Sequence, residues 1–224
     1  MDGADDLPTP AAVILDLDGT LVDTVQTRIA AWMHTFAEVG LVTDEARVAA
    51  LIGSDGRWLT EQVARAAGRT LQPGEAEVID RRAGERYAAL NRDPRPLPGA
   101  GALLDALEAR RIPWAIATSS RRAQVGVSIA ALGRRPRPLV VDGTSVRHAK
   151  PAPDLILRAA SRLGAKPSVT WCIGDARWDM LAAGAAGAVA VGVATGAASE
   201  EELRTAGARL TVPSLAALLA HLPG

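Results

Sequence analysis

Five short runs, at residues 12–17, 113–118, 138–141, 169–173 and 188–193, are predominantly apolar and rich in β-branched side chains. That pattern, without polar alternation, predicts strands buried on both faces of a parallel sheet. Between the runs, apolar residues return at helical spacing: Leu103, Leu104 and Leu107; Val125, Ile129 and Leu132; Leu155, Ile156, Ala159 and Leu163; and the stretch 180–186. Strands alternating with helices predict an α/β fold built on a doubly wound parallel sheet. Residues 24–94 break the alternation, with no convincing strand and amphipathic stretches at 25–39, 57–67 and 75–90. That is more chain than one crossover needs. The expected organisation is a core domain of residues 1–22 and 95–224, interrupted by a helical domain of residues 23–94. The Pro-rich segment Pro94-Arg95-Pro96-Leu97-Pro98-Gly99 is the expected return linker.

Composition narrows the function classes. At 224 residues and 48% hydrophobic content, the chain can bury one substantial core and still carry a small insert. Lys plus Arg and Asp plus Glu both number 25, so bulk charge gives no reason to expect nucleic acid or an acidic membrane surface as partner. The single cysteine, Cys172, lies in an apolar run and is expected to be a buried, inert thiol. Residues 1–10 are acidic and lack the basic and apolar regions of a signal peptide, which predicts a cytoplasmic location. The weakly polar stretch 181–198, made of Ala, Gly and Val, reads as a helix, a turn and a strand rather than a membrane span.

The chemistry gathers at the carboxyl ends of the predicted strands, where open α/β sheets bind ligands. The first run ends in Asp16-Leu17-Asp18-Gly19-Thr20. Residues two apart on a strand share a face, so Asp16 and Asp18 converge, and two such acids share a proton, a metal or both. The second run ends in Thr118-Ser119-Ser120 before Arg121, a set of hydroxyls and free N–H groups suited to an anion or, equally, to an ordinary helix N-cap. Lys150 precedes a proline in a loop, and the fourth run leads into Gly174-Asp175-Ala176-Arg177-Trp178-Asp179. Oxygen ligands of this kind suit Mg²⁺ shared with a phosphate.

The ordered set Asp16-x-Asp18-x-Thr20, Thr118, Lys150 and Gly174-Asp175-x-x-x-Asp179 resembles the four motifs of the haloacid dehalogenase superfamily, and the helical insert looks like its C1 cap. The resemblance implies a Rossmann-like core and a Mg²⁺-dependent phosphatase acting on a small phosphorylated metabolite. Asp16 would be the nucleophile that forms an aspartyl phosphate, and Asp18 the general acid and base. Thr118, Ser119 and Lys150 would bind the phosphoryl group. Asp16, the main-chain carbonyl of Asp18, and Asp175 would hold the metal, with Asp179 in support. On general grounds, an aspartate near its reference pKa of about 3.9 is ionised without a base, whereas burial under a closed cap should raise that of Asp18. The stretch from Asp23 through Trp32 resembles phosphoglycolate phosphatase and β-phosphoglucomutase alike, but the mutase carries an acid where this chain has Gly174 and a cap lysine near Ile52. A non-catalytic regulator that binds a phosphorylated ligand is the alternative from another class.

Substrate choice is expected from the cap. Thr24, Arg28 and Trp32 share one helix face, either core packing or pocket wall. Arg57 follows a glycine-flanked loop, Gly53-Ser54-Asp55-Gly56, and Arg121 matches a phosphate-contacting position of the mutase. A basic pair at Arg28 and Arg57 would suit a second anionic group on the substrate. His34, His148 and His221 have no metal-ligand spacing, although His148 lies close to Lys150. The expected assembly is a monomer or weak homodimer.

Overall fold

The computed structural model describes residues 7 to 223; what the sequence suggests for residues 1 to 6 lies outside the described residues. Its centre is a parallel sheet of six strands: β1 (Ala12–Leu15), β4 (Trp114–Ala117), β5 (Leu139–Val141), β6 (Thr170–Gly174), β7 (Val189–Val193) and β8 (Leu210–Val212), in the order β5-β4-β1-β6-β7-β8. Five of these are the predicted runs, trimmed at their ends. The register sets Leu15 beside Ile116 on one side and Ile173 on the other. Asp16, Thr118 and Asp175 therefore emerge from three adjacent strands at one sheet edge.

Successive strand residues point to opposite faces, and each face has its own helical cover. Val13 and Leu15 pack with α5 (Ala100–Ala109), α6 (Arg122–Ala131) and α10 (Leu215–Leu218). Ile14 packs on the other face with α7 (Asp154–Leu163), α8 (Arg177–Ala186) and α9 (Glu200–Thr205). In α7 the apolar positions Leu155, Ile156, Ala159 and Ala160 are all buried, as an amphipathic stripe requires.

Between Val22 and Arg95 the chain leaves the sheet to form α1 (Val25–Glu38), α2 (Glu45–Ala49), α3 (Gly56–Ala66) and α4 (Glu75–Leu90). These helices enclose a third apolar cluster around Phe36, Leu59, Val63 and Ile79. The return segment is more than a linker. It pairs antiparallel with the outgoing chain as a ribbon, β2 (Val22–Asp23) with β3 (Arg95–Pro96). The ribbon, β8, α2, α9 and α10 are the elements the sequence pattern does not announce. Each is at most six residues long, too short to show a period. Among the described residues, no helix is long and apolar enough to cross a membrane.

Leu107 on α5 is fully buried against the sheet, whereas Leu157 on α7 is 43% exposed. Leu107→Ala is expected to cost about 2–5 kcal/mol in denaturant unfolding, and Leu157→Ala to stay within about 0.5 kcal/mol.

Candidate active site

Four buried aspartates and one lysine meet at the sheet edge. Lys150, buried in the loop before α7, places Nζ 2.5 Å from Asp16 Oδ1 and 2.6 Å from Asp179 Oδ1. The other oxygen of Asp179 accepts a hydrogen bond from the Ala176 N–H at 3.0 Å, which fixes the carboxylate across the first turn of α8. Gly174 makes that position possible: a Cβ there would lie 2.2 Å from Asp179 Cγ. Asp175 is held by Thr20 Oγ1 at 2.7 Å and by the Ala197 N–H at 2.8 Å. The turn after Asp18 passes tightly over it. Gly19 has a φ of +87°, and a Cβ there would sit 2.4 Å from Asp175 Oδ2, so glycine is required on both counts.

Asp16, Asp175 and Asp179 each bring an oxygen within 4.8 Å of the other two. Three carboxylates face one ammonium, and the titration behaviour reflects the shortfall. Burial, then repulsion from Asp179 and Asp18, pushes Asp16 above the usual carboxylate range, with Lys150 offsetting only part. Burial and the charges of Asp16 and Asp179 push Asp175 well up too. Burial disfavours the charged form of Lys150, but Asp16 and Asp179 overcome this and raise its pKa. Reference values alone are therefore a poor guide to Asp16: its ionisation depends on neighbouring positive charge. Hard oxygen donors, tightly converging and short of positive charge, fit a divalent cation such as Mg²⁺.

Asp18 is built differently. Its carboxylate accepts hydrogen bonds from Thr24 Oγ1 at 2.7 Å, Tyr87 hydroxyl at 3.0 Å, Ser120 Oγ at 2.9 Å and Arg28 Nη2 at 2.8 Å. Burial pushes its pKa up, but the charge of Arg28 and the hydrogen bonds from Arg28, Thr24 and Ser120 outweigh it, and the result lies below the usual value. This corrects the expectation that a closed cap raises it. Arg28 lies over the Tyr87 ring, 3.7 Å from the centroid, and Asn91 Nδ2 donates to the Tyr87 hydroxyl at 2.8 Å and to Ser128 Oγ at 3.0 Å. Burial and Asp18 raise the pKa of Tyr87 to about 12, so it stays a donor.

Asp16 and Asp18 line a cavity of about 40 Å³, room for a few water molecules. Its walls come from both the sheet edge and the helical insert: Thr118, Ser119 and Arg121 on one side, Arg28, Trp32, Ile52 and Asp80 on the other. Thr118 and Arg28 thus stand where the sequence puts them, and the face carrying Arg28 and Trp32 is pocket wall as well as packing. Other candidates are engaged elsewhere. Ser119 Oγ donates to the Gly53 carbonyl at 2.9 Å, so the side chain ties the insert to the core instead of facing a ligand. Arg57 pairs with Asp55 at 2.7 Å, reaches the Arg147 carbonyl, and does not line the cavity. Arg121 is bound by Glu77 at 2.6 Å and Asp80 at 2.8 Å. His148 is mostly exposed beside Asp154. Cys172 is buried as expected, its thiol raised to about 12 by burial.

Sequence reasoning missed Tyr87 and Asp80, and it read Ser120 as an anion-site or N-cap hydroxyl where the structure shows it donating to Asp18. Thr20 carried a signal, inside the first motif; Tyr87 and Asp80 carried none, because their relevance depends on how α4 packs over α1 and α6.

Residues 13–193 match the family model described as haloacid dehalogenase-like hydrolase. A fructose-1-phosphate phosphatase of Escherichia coli is 33% identical over 187 residues, covering 82% of this chain and 96% of that protein. A β-phosphoglucomutase of Bacillus subtilis is 32% identical over 190 residues, covering 83% and 84% respectively. The crystal structure of a hydrolase from Pseudomonas syringae superposes with a TM-score of 0.89 at 33% identity, covering 94% of this chain and 96% of the other. With its strand-end aspartates, its lysine and these relatives, the chain belongs to the haloacid dehalogenase-like hydrolase family and is a phosphoric monoester hydrolase.

Proposed function

We propose that this chain hydrolyses a small phosphorylated metabolite with Mg²⁺, through an aspartyl phosphate on Asp16, and that residues 23–94 act as a cap over a core of residues 1–22 and 95–224. The observation that carries the reading is the placement of Asp16. Lys150 holds it, Asp175 and Asp179 flank it, and it lines the small cavity under the insert. In the first step a carboxylate oxygen of Asp16 attacks phosphorus, the bond to the leaving oxygen breaks, and Asp18 gives that oxygen a proton. In the second, water attacks the phosphorus of the aspartyl phosphate, Asp18 takes the water's proton, and phosphate leaves with Asp16 restored. Thr118 and Lys150 hold the phosphoryl group, and Ser119 contributes through its main chain. Asp16, the Asp18 carbonyl and Asp175 would bind Mg²⁺, supported by Asp179; the ion supplies positive charge for the oxygens around phosphorus.

The surroundings of Asp18 favour its carboxylate form, which is the base of the second step. Protonation for the first step requires that some of its four donors let go. Arg28 and Ser120 are the two that touch Asp18 and also line the cavity. A sugar phosphomutase is the alternative reading. The cavity wall offers Ile52 where the sequence comparison set the mutase's cap lysine, which favours hydrolysis.

Two experiments test this. Phosphate release from an aryl phosphate is expected to require Mg²⁺, to stop on chelation, and to fall at least about 10³-fold in Asp16→Asn; full activity in that variant would remove Asp16 from its role. Gly174→Ala, by driving Asp179 from its place, is expected to raise the Mg²⁺ concentration for half activation about 10- to 100-fold. An unchanged Mg²⁺ titration would show that Asp179 does not support the ion.

A further inference from the structure

The cavity beyond the catalytic aspartates is not the basic pocket that the sequence suggests. Arg57 lies outside it, and the two guanidiniums on its wall are each already matched by carboxylates: Arg28 by Asp18, Arg121 by Glu77 and Asp80. The charged groups lining it are Asp16, Asp18 and Asp80 against Arg28 and Arg121. A second carboxylate or phosphate on the substrate would meet no uncommitted cation there, and it would meet Asp80. Resting on the hydrolysis proposed above, we infer that Asp80 is a specificity-determining residue that accepts a hydrogen bond from a hydroxyl of the leaving group, so that neutral polyhydroxylated monophosphates are preferred over substrates carrying a second anion.

Three features of Asp80 carry this. It stands on α4, across the cavity from the sheet edge that bears Asp16. Its Oδ2 is committed to Arg121, with Nε at 2.9 Å, whereas its Oδ1 accepts no hydrogen bond among the described residues. Its side chain is 13% exposed and lines the cavity, which leaves that oxygen short of a protein donor and open to one that enters. A neutral hydroxyl repairs this, because it can donate to Asp80 and still accept from a guanidinium. One such donor belongs to Arg28 on the same cavity wall, whose Nε is buried and has no partner. An incoming carboxylate or phosphate can accept from Arg28 but has no proton to give Asp80, and at about 4 Å its repulsion would amount to several kcal/mol even at an effective dielectric near 20. The wall around these groups, Trp32, Ile52 and Leu59, is apolar, as expected where a carbon skeleton lies between polar contacts.

The test uses the purified full chain with Mg²⁺ and five probes: an aryl phosphate, a hexose monophosphate, a hexitol monophosphate, phosphoglycolate and a hexose bisphosphate. The kcat/KM for the better of the two neutral polyhydroxylated monophosphates is expected to exceed that for phosphoglycolate and for the bisphosphate by about tenfold or more. In Asp80→Asn the ratio of kcat/KM for that substrate to kcat/KM for the aryl phosphate should fall about tenfold, mostly through KM. Because Asp80 also touches Arg121, Glu77→Gln serves as the control. It breaks the other half of that contact outside the cavity, and it should leave the ratio in place. A preference for phosphoglycolate or the bisphosphate, or a ratio unchanged in Asp80→Asn, overturns the inference and leaves the hydrolysis intact. An equal fall of the ratio in Glu77→Gln assigns Asp80 to cap docking and also overturns it. Absence of Mg²⁺-dependent phosphate release from every probe overturns the proposed hydrolysis itself, and this inference with it.

Discussion

Everything around the sheet edge answers to one constraint: more buried negative charge than the protein alone neutralises. Asp16, Asp175 and Asp179 converge within 4.8 Å, and Lys150 is the cation that reaches them, touching two of the three. Two like charges about 4 Å apart repel by roughly 4 kcal/mol at an effective dielectric near 20, so the arrangement persists only because the scaffold leaves the side chains nowhere else to go. Gly174 yields its Cβ space to Asp179, the Gly19 turn closes over Asp175, and Thr20 and the Ala197 N–H fix the oxygens of Asp175. A site held this way stores a demand for positive charge. In the proposed hydrolysis, a divalent cation and an electrophilic phosphorus would meet that demand together, as the electrostatic preorganisation of phosphoryl transfer requires.

Asp18 lies two residues from Asp16 and lives in a different electrostatic world. Lys150 bridges Asp16 to Asp179, whereas Asp18 is wrapped by donors from the helical insert and from Ser120 beyond β4. Burial on its own would raise its pKa; the charge of Arg28, with the hydrogen bonds from Arg28, Thr24 and Ser120, reverses the sign. The two neighbours thus shift in opposite directions: burial raises both, the acids around Asp16 add to that rise, and the donors around Asp18 reverse it. Under the proposed mechanism, that separation of environments would let one fold give two carboxylates two tasks. It also makes the state of Asp18 depend on the insert, since Thr24, Arg28 and Tyr87 all belong to it.

The strand-end chemistry was legible in the sequence because it depends on order alone. Once five apolar runs form a parallel sheet, Asp16, Thr118 and Asp175 must emerge at its carboxyl edge, and the insert follows from 70 residues without a strand. What stayed hidden depends on packing between elements far apart in the chain. Tyr87 reads as one more buried aromatic on α4 until its hydroxyl is seen to reach Asp18, and Asp80 reads as a solvated acid until Arg121 of the core is placed beside it. The same cause explains the misread side chains. Ser119 and Arg57 sit next to the right loops, but the nearest partners, the Gly53 carbonyl and Asp55, capture them first. The sign of the Asp18 shift was out of reach for the same reason, because burial can be inferred from a pattern and a cross-element guanidinium cannot.

The energetics of the insert bear on how a substrate reaches Asp16. The cavity holds only about 40 Å³, so a phosphorylated metabolite requires the walls to part. Besides the donors on Asp18, the contacts that join them are individually modest: the Ser119 hydroxyl on the Gly53 carbonyl, the Asp55 N–H on the Lys150 carbonyl at 2.7 Å, the edge of Trp58 against Trp178 at 4.9 Å, and the partly exposed pairs of Arg121 with Glu77 and Asp80. Exposed ion pairs contribute about 0–1 kcal/mol each, and a neutral hydrogen bond about 0.5–1.5 kcal/mol net. The helices α1 to α4 meanwhile keep their own apolar cluster whether or not they touch the sheet edge. Parting the walls therefore breaks these contacts and, where Arg28 and Tyr87 move with the insert, their buried hydrogen bonds to Asp18, while the insert's own apolar cluster stays intact, with β2 and β3 as the paired strands on which the insert is carried. Closing over a substrate restores those contacts and adds new ones, so a ligand that satisfies Arg28 and Asp80 together shifts the balance toward the closed, water-excluding state that phosphoryl transfer requires.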